Sequence, residues 1–377
     1  MDSTEHSTIS DWRPSSDGQE TARVPRRARL SQRRFLTGAV AAALLVSFAG
    51  AQNVSSGLRS DVVFTEYSPL SGIVELTHRL FSPLTALRLN QYAASAGKTL
   101  GGQPIDLTKE RYSIYVPSSP HSSAGTYSLL VFVPPWPRAE VPRAWIPVLN
   151  RYNTILVTAA NSGNDAPTVD RREPLALLAA HNVMLQYAVN PQQVYIGGFS
   201  GGARIALRLA LGFPDVFHGA LLNAGSDSIG TADVPLPPEP LFRRLQESIR
   251  IVYLTGERDE ENLARDMYSR RSLNDWCVFD LVTQTEPRTA HELADASGFG
   301  RSLEALLSPR ESHPDKLAEC RTRIEQELST QLQQVESAFG RGESKLAKQL
   351  LTKIDARYGG LAAPRSVELA TDEGHPR

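Results

Sequence analysis

The chain has 377 residues, of which 41% are hydrophobic and 21% are charged, so it has enough apolar side chains for a sizeable core. Its 40 basic and 41 acidic side chains leave a formal net charge of -1, which provides no global positive field to hold nucleic acid. Two cysteines in a chain of this length exclude a disulfide framework. The sequence also lacks the paired Cys/His cluster that a structural zinc site requires. We therefore expect chemistry that uses no metal, no redox cysteine and no other cofactor.

The first 51 residues have the pattern of an export region. Residues 1–34 are rich in Ser, Asp, Pro and Arg and lack apolar periodicity, which predicts a disordered segment. Residues 35–49 carry no charge, and the Ala-Gly-Ala at 49–51 is a small-x-small pattern that a signal peptidase accepts. Because a spanning helix needs roughly 20 apolar residues, we predict a signal peptide and a mature chain that begins near Gln52.

The segment Ser-Gln-Arg-Arg-Phe-Leu at residues 31–36 resembles a twin-arginine export signal. Gln32 stands where such a signal has its first Arg, and Thr37 where it has a Lys. The predicted location is periplasmic or secreted. The alternative is a chain that stays anchored in the membrane by the uncleaved segment.

After the signal, the chain first shows one helical pattern, around residues 71–96, which predicts a covering helix. From residue 111, short apolar runs alternate with helical patterns at 173–189 and 201–212. The apolar runs lie at 112–116, 127–133, 154–159, 193–199, 219–225, 250–256 and 276–282. Continuous apolar strands are typical of a mainly parallel sheet that is buried on both faces. The pattern predicts a doubly wound α/β fold.

The composition changes beyond Pro309 to Glu, Gln, Arg and Lys. Apolar residues recur every three or four positions over 317–339 and again over 346–358, which predicts a helical hairpin folded back on the main domain. The last dozen residues have a disordered pattern. The predicted division is 1–51 for the export region, 52–309 for the α/β domain and 310–377 for the hairpin and tail.

One motif is specific enough to indicate chemistry, the Gly-Phe-Ser-Gly-Gly at residues 198–202, which fits G-x-S-x-G. A bare match arises by chance in about one chain in ten of this length, but here a predicted strand precedes the motif and a predicted helix follows it. A nucleophile elbow requires that context, because the sharp turn holds the serine at strained angles and leaves little room for flanking side chains. The motif therefore predicts Ser200 as a nucleophile.

The sequence around this motif resembles a known group of enzymes. Residues 175–187, 190–195, 198–203 and 213–217 resemble α/β-hydrolase esterases of the polyhydroxybutyrate-depolymerase and feruloyl-esterase-like group, and more distantly the catalytic domain of prolyl oligopeptidases. The resemblance covers roughly residues 110–308. It implies an α/β-hydrolase fold and a triad in the chain order Ser, acid, His.

The predicted base is His291, in a Thr-Ala-His-Glu segment that resembles the Gly-His-Glu of the family with Ala290 in place of Gly. His313 and His375 also follow the elbow, but they fall in the linker and in the tail, where a solvated surface residue is expected.

The predicted acid is Asp259, which completes a Gly-x-x-Asp pattern after the strand at 250–256 and matches many such enzymes. Asp227, one strand earlier, and Glu257 are the alternatives.

The oxyanion hole is the least regular part of the predicted site. One donor is the backbone N–H of Gly201, and relatives take the other from a His-Gly pair after the strand at 127–133. Here that loop begins Pro134-Pro135, and because proline has no N–H, Trp136 is the nearest donor. Either the oxyanion hole is built differently, with Trp136 also lining the acyl pocket, or the catalytic activity of the site is impaired. The polar residues 161–165, after the strand at 154–159, are expected to form an ordinary turn; the alternative is that they line the leaving-group side of the site.

The two cysteines, Cys277 and Cys320, fall on a predicted buried strand and on an apolar helix seam, so we expect two free buried thiols rather than a pair. If they paired, they would tie the hairpin to the α/β domain. Taken together, the sequence predicts an exported serine esterase acting on a small-molecule or polymeric ester. The alternatives are a serine peptidase of the prolyl-oligopeptidase type and a non-catalytic binding protein on the same fold.

Overall fold

The computed structural model describes residues 56–118, 126–310 and 312–371. The predicted signal segment, its cleavage site before Gln52 and His375 lie outside the described residues. Within those ranges, no helix has the length and apolar character that crossing a lipid bilayer requires.

A central eight-stranded sheet has the order β1-β2-β4-β3-β5-β6-β7-β8. The strands are β1 (Gly57–Val63), β2 (Arg111–Val116), β3 (Tyr127–Val133), β4 (Thr154–Ala159), β5 (Val189–Phe199), β6 (Gly219–Asn223), β7 (Arg250–Gly256) and β8 (Leu281–Glu286). Strand β2 pairs antiparallel with β1 and β4, whereas β3 to β8 run parallel. Every residue of β4 and β7 is buried. The predicted mainly parallel, doubly wound sheet is confirmed.

The two edges of the sheet differ from the prediction. Strand β1 was not predicted, because most of its residues face solvent and its polar composition gives no apolar run. The last strand was predicted at 276–282 but occupies Leu281–Glu286. Its predicted first half is a buried turn instead, in which Cys277 takes a φ of 65°. The residues there are apolar because they are buried beneath the C-terminal helices, and not because they belong to the sheet.

Eleven α-helices surround this sheet in the described ranges. They are α1 (Ile73–Leu80), α2 (Pro83–Ser95), α3 (Ile146–Arg151), α4 (Glu173–Gln186), α5 (Gly201–Gly212), α6 (Glu239–Ser248), α7 (Glu260–Asp275), α8 (Ala296–Leu307), α9 (Pro314–Gly340), α10 (Ser344–Tyr358) and α11 (Arg365–Thr371). The single helix predicted at 71–96 is two helices, because Pro83 holds the preceding Ser82 in an extended conformation with a ψ of 151°.

The predicted C-terminal hairpin is present as α9 and α10, and it packs back on the α/β body. Arg321 of α9 donates to Gln246 Oε1 at 2.6 Å and to the carbonyl of Arg243 at 2.9 Å, both on α6. The ring of Tyr358 meets the buried ring of Trp276 edge-on at 5.5 Å. The predicted disorder of the last dozen residues is wrong for α11, which is helical because it buries Leu369.

A disulfide joins Cys277, in the turn before β8, to Cys320 on α9, and their Cα atoms are 5.9 Å apart. The expectation of two free thiols is therefore wrong. It failed because Cys277 lies in a turn that faces α9 and not on a strand inside the sheet. The bond ties the hairpin to the α/β body.

Candidate active site

Ser200 lies at the sharp turn between β5 and α5. Its backbone has a φ of 55° and a ψ of -123°, a conformation that a residue with a side chain rarely adopts. The neighbouring glycines leave no room for side chains. A Cβ on Gly202 would stand 1.9 Å from the carbonyl oxygen of Val133, and one on Gly198 would stand 2.3 Å from the carbonyl carbon of Gly202. Gly202 is thus required by the close contact with the end of β3, and Gly198 by the tightness of the turn itself.

The structure brings Ser200, His291 and Asp259 together in one hydrogen-bonded series. His291 Nε2 lies 2.9 Å from Ser200 Oγ, and His291 Nδ1 lies 2.7 Å from Asp259 Oδ2. The carboxylate is 6% exposed, whereas the His291 side chain is 43% exposed and open to solvent. A nucleophile, a base and an orienting acid stand in this relation in serine hydrolases.

The Asp259 carboxylate has a second partner that the sequence did not indicate. Asp259 caps α7, and its two carboxylate oxygens accept hydrogen bonds from the side-chain amide of Asn262 at 2.9 and 3.0 Å. Because the ionised carboxylate only accepts hydrogen bonds, His291 must donate from Nδ1. Nε2 is then the unprotonated nitrogen, and it can accept a hydrogen bond from the Ser200 hydroxyl.

The alternative acids are engaged elsewhere. Asp227 lies 3.7 Å from Arg204 Nε and 3.9 Å from an Arg265 nitrogen. Glu257 accepts from the backbone N–H of Arg288 at 2.9 Å. Glu257 therefore helps to hold the loop that carries the histidine.

The remaining candidate base, His313, precedes the first residue of α9. It is exposed, as expected for a residue in the linker.

Asn223, at the end of β6, fixes the loop of His291 relative to the elbow. Its carbonyl accepts from the Ser200 N–H at 2.9 Å, and its side-chain oxygen accepts from the Ala294 N–H at 2.9 Å. Asn223 is 2% exposed, so both bonds are shielded from water. The relative positions of nucleophile and base thus depend on a buried amide that the sequence did not single out.

The first donor predicted for the oxyanion hole, the N–H of Gly201, lies at the amino end of α5, where free N–H groups and the helix dipole favour negative charge. The second, Trp136, is half-buried, and its ring centroid lies 6.3 Å from that of Phe199. Arg172 connects the loops after β3 and β4, because its guanidinium donates to the carbonyls of Pro134 and Ser162. Burial lowers the pKa of Arg172 to about 10.

A buried carboxyl lies at the start of the loop that carries the histidine. Glu286 ends β8 and is 6% exposed, and it packs against Gly298 beside Asp295. Burial, together with the adjacent Asp295, raises the pKa of Glu286 to about 7. Backbone donation from Gly298 lowers the pKa of Asp295, so the proton of this carboxyl pair resides on Glu286.

Replacing Glu286 with Gln should therefore stabilise the protein at alkaline pH and leave it unchanged at acid pH. Folding raises the pKa of Glu286 from 4.5 to about 7, so its contribution to stability is complete below pH 4.5 and is lost as the pH rises to 7. Gln stays neutral, and we expect an advantage on the order of 2 kcal/mol at pH 8. Thermal unfolding of both proteins from pH 4.5 to 8 measures it. A constant difference across that range would contradict the assignment.

The fold and this site define the class of the protein. The strand order, the antiparallel β2 and the strand–serine–helix elbow are those of the α/β-hydrolase fold, as the sequence resemblance implied. In the described ranges, no group of three His, Cys, Asp or Glu side chains is arranged to hold a metal ion.

Comparisons with known proteins give matches among solved structures. An S-formylglutathione hydrolase from Staphylococcus aureus matches 53% of this chain and 93% of its own, at 12% identity and a TM-score of 0.41. A ferulic acid esterase matches 52% of this chain and 90% of its own, at 16% identity and a TM-score of 0.40. Dipeptidyl peptidase 4 from Porphyromonas gingivalis matches 52% of this chain, at 12% identity and a TM-score of 0.39. The match covers only 33% of the peptidase's own length.

These similar structures are esterases and peptidases of the α/β-hydrolase superfamily. No family model matches the sequence, and no curated protein matches it. The strand order and the elbow, and not these distant likenesses, carry the assignment of the fold.

Proposed function

We propose that the protein is an exported serine esterase that cleaves a carboxylic ester through an acyl-enzyme. The observation that carries the proposal is the series of short hydrogen bonds from Asp259 through His291 to Ser200. That series ends on a serine held at strained angles at the amino end of a helix, where an oxyanion is stabilised.

The reaction proceeds in two halves. Ser200 Oγ attacks the ester carbonyl while His291 Nε2 accepts the hydroxyl proton, and the Asp259 carboxylate stabilises the imidazolium. Collapse of the tetrahedral intermediate breaks the bond to the leaving alcohol, which takes the proton from His291. Water then attacks the acyl-enzyme with the same base, and the acid is released as Ser200 regains its proton.

An ester is the favoured substrate class over a peptide because the reacting side chains lie open to solvent. His291 is 43% exposed, and Ser200 is half-buried at the surface of the elbow. An alkoxide leaves more readily than an amide nitrogen. Cleavage of an ester therefore requires less exclusion of water from the site and less exact positioning of its reacting groups.

The substrate class is tested by comparing p-nitrophenyl esters with peptide p-nitroanilides. We expect hydrolysis of short-chain esters that Ser200→Ala lowers at least about 10^4-fold, because removal of a triad serine removes nearly all turnover. Ser329→Ala, on the exposed face of α9, is the matched control and should keep full activity. Faster cleavage of peptides would favour the peptidase, and a pure folded protein without turnover would favour the binding protein.

Export is the second part of the proposal, and the disulfide between Cys277 and Cys320 supports it, since such bonds persist mainly in oxidising compartments. We expect the protein from its native host to begin at or near Gln52 and to be recovered in a soluble extracytoplasmic fraction. Mass spectrometry of the intact protein measures the amino terminus. A full-length chain recovered only with membranes would identify residues 35–49 as an anchor.

A further inference from the structure

The loop after β3 supplies few donors to the predicted oxyanion hole. A tetrahedral intermediate is usually stabilised by two donors, and the Gly201 N–H is one. Pro134 and Pro135, which follow β3 directly, have no N–H to offer. The carbonyl of Pro134 accepts a hydrogen bond from Arg172, so this residue supplies an acceptor and no donor. A second donor has to come from Trp136 or from another element.

The side-chain amide of Asn164 lies directly against Gly201. A Cβ built on Gly201 would stand 2.2 Å from Asn164 Oδ1, 2.9 Å from Cγ and 3.1 Å from Nδ2. The amide is therefore in contact with the residue whose N–H begins α5. A half-turn of the amide exchanges its oxygen and nitrogen without changing its shape, so Nδ2 can present its hydrogens to the same space.

This amide is available to a ligand. Asn164 is exposed, and its side chain has no hydrogen-bond partner among the described residues. The absence of a side chain at residue 201 leaves room for this amide beside the elbow. An amide that contacts the elbow and remains unbonded is placed to act on what binds there.

The backbone that carries this amide is fixed from both sides. The Asn164 N–H donates to the carbonyl of Pro135 at 2.9 Å, and a Cβ on Gly163 would stand 2.7 Å from the carbonyl carbon of Trp136. Arg172, which is 5% exposed, donates from Nε to the carbonyl of Ser162 at 2.8 Å. The backbone of the loop is thus anchored, and the side-chain amide of Asn164 lies against the elbow. Because the backbone is fixed, a rotation of the amide alone is enough to place a donor where charge develops.

We propose that Asn164 Nδ2 donates the second hydrogen bond to the oxyanion, with the Gly201 N–H as the first. The inference rests on the proposed function. Asn164 transfers no proton: its bond to the carbonyl oxygen strengthens as that oxygen becomes negative, and weakens when the carbonyl re-forms. Trp136 then serves as the wall of the acyl pocket, through its contact with Phe199.

The test compares Asn164→Ala and Asn164→Asp with Asp165→Ala, an exposed neighbour in the same loop. With a p-nitrophenyl ester, Asn164→Ala should lower kcat about 10^2- to 10^3-fold with KM nearly unchanged, as for other oxyanion-hole amides. Asn164→Asp, which is nearly isosteric, should lower kcat at least as much because its carboxylate repels the oxyanion. Asp165→Ala should keep wild-type kcat, and all three should keep the wild-type Tm.

The outcomes separate this inference from the proposed function. If wild type hydrolyses the ester in a Ser200-dependent manner and Asn164→Ala keeps kcat within about threefold, Asn164 is not a donor, and the esterase stands with Trp136 as the second donor. A rise in KM at unchanged kcat overturns the inference as well, because it indicates ground-state binding. A wild type without Ser200-dependent turnover overturns both.

Discussion

Asp259→Asn should lower ester turnover about 10^4-fold while leaving the fold intact. The carboxylate accepts the Nδ1 hydrogen of His291, whereas an Asn amide can donate to Nδ1 and so favours the tautomer with its hydrogen on Nε2. In that tautomer His291 cannot accept the Ser200 proton, and in a serine protease the equivalent change costs about 10^4 in kcat. Steady-state kinetics with a p-nitrophenyl ester measures the effect.

The fold should tolerate that change because Asn caps a helix as well as Asp does, and Asp259 is the cap of α7. Asp227→Asn is the matched control, since Asp227 lies 3.7 and 3.9 Å from nitrogens of Arg204 and Arg265. It should keep nearly full activity. Equal activity of Asp259→Asn and wild type, or a larger loss in Asp227→Asn, would remove the assignment of the acid.

Deleting residues 310–377 should give a chain that does not fold stably. The hairpin covers Trp276 and Phe242, which are 1% and 2% exposed, and Tyr358 packs against the former. Each buried aromatic removes about 150–250 Å² from water, worth about 25 cal/mol per Å². Exposing both costs several kcal/mol, a large part of the 5–15 kcal/mol that stabilises a typical domain. Soluble yield and thermal unfolding measure the result.

The double variant Cys277→Ala/Cys320→Ala is the control, because it breaks the covalent link and keeps the hairpin. The cysteines are 43 residues apart, and the loss of such a crosslink costs about 2–4 kcal/mol. We expect it to fold with a lowered Tm, between wild type and the truncated chain. A truncated chain with an undiminished Tm would show that the hairpin is an independent appendage.

The sequence predicts those parts of the molecule whose physical cause is local. Strands such as β4 and β7 are buried throughout, so they appear as continuous apolar runs. The elbow can be recognised from the sequence because its backbone angles and its tight contacts require glycine beside Ser200. His291 and Asp259 were predicted from their order after Ser200 and from the resemblance of their segments to family patterns, and they are the pair that hydrogen-bonds in series with Ser200.

What the sequence does not indicate depends on tertiary contacts. Asn223 and Asn262 have no sequence signal that distinguishes them from surface amides, whereas Asn164 belongs to the polar turn at 161–165 that follows a predicted strand. Asn223 reaches the loop of His291, and Asn262 reaches His291 itself, only because distant parts of the chain meet there. The same holds for the disulfide, which exists because α9 passes over the turn of Cys277.

The most direct test of the account is labelling with a fluorophosphonate, which reacts with an activated serine and needs no knowledge of the substrate. We expect pure folded wild type to be labelled in stoichiometric amount, with the phosphonyl group on the peptide that contains Ser200. Ser200→Ala should not be labelled, and Ser329→Ala should be labelled as wild type. Failure of folded wild type to react, or a label on any serine other than Ser200, would contradict the assignment of this site as a serine hydrolase centre.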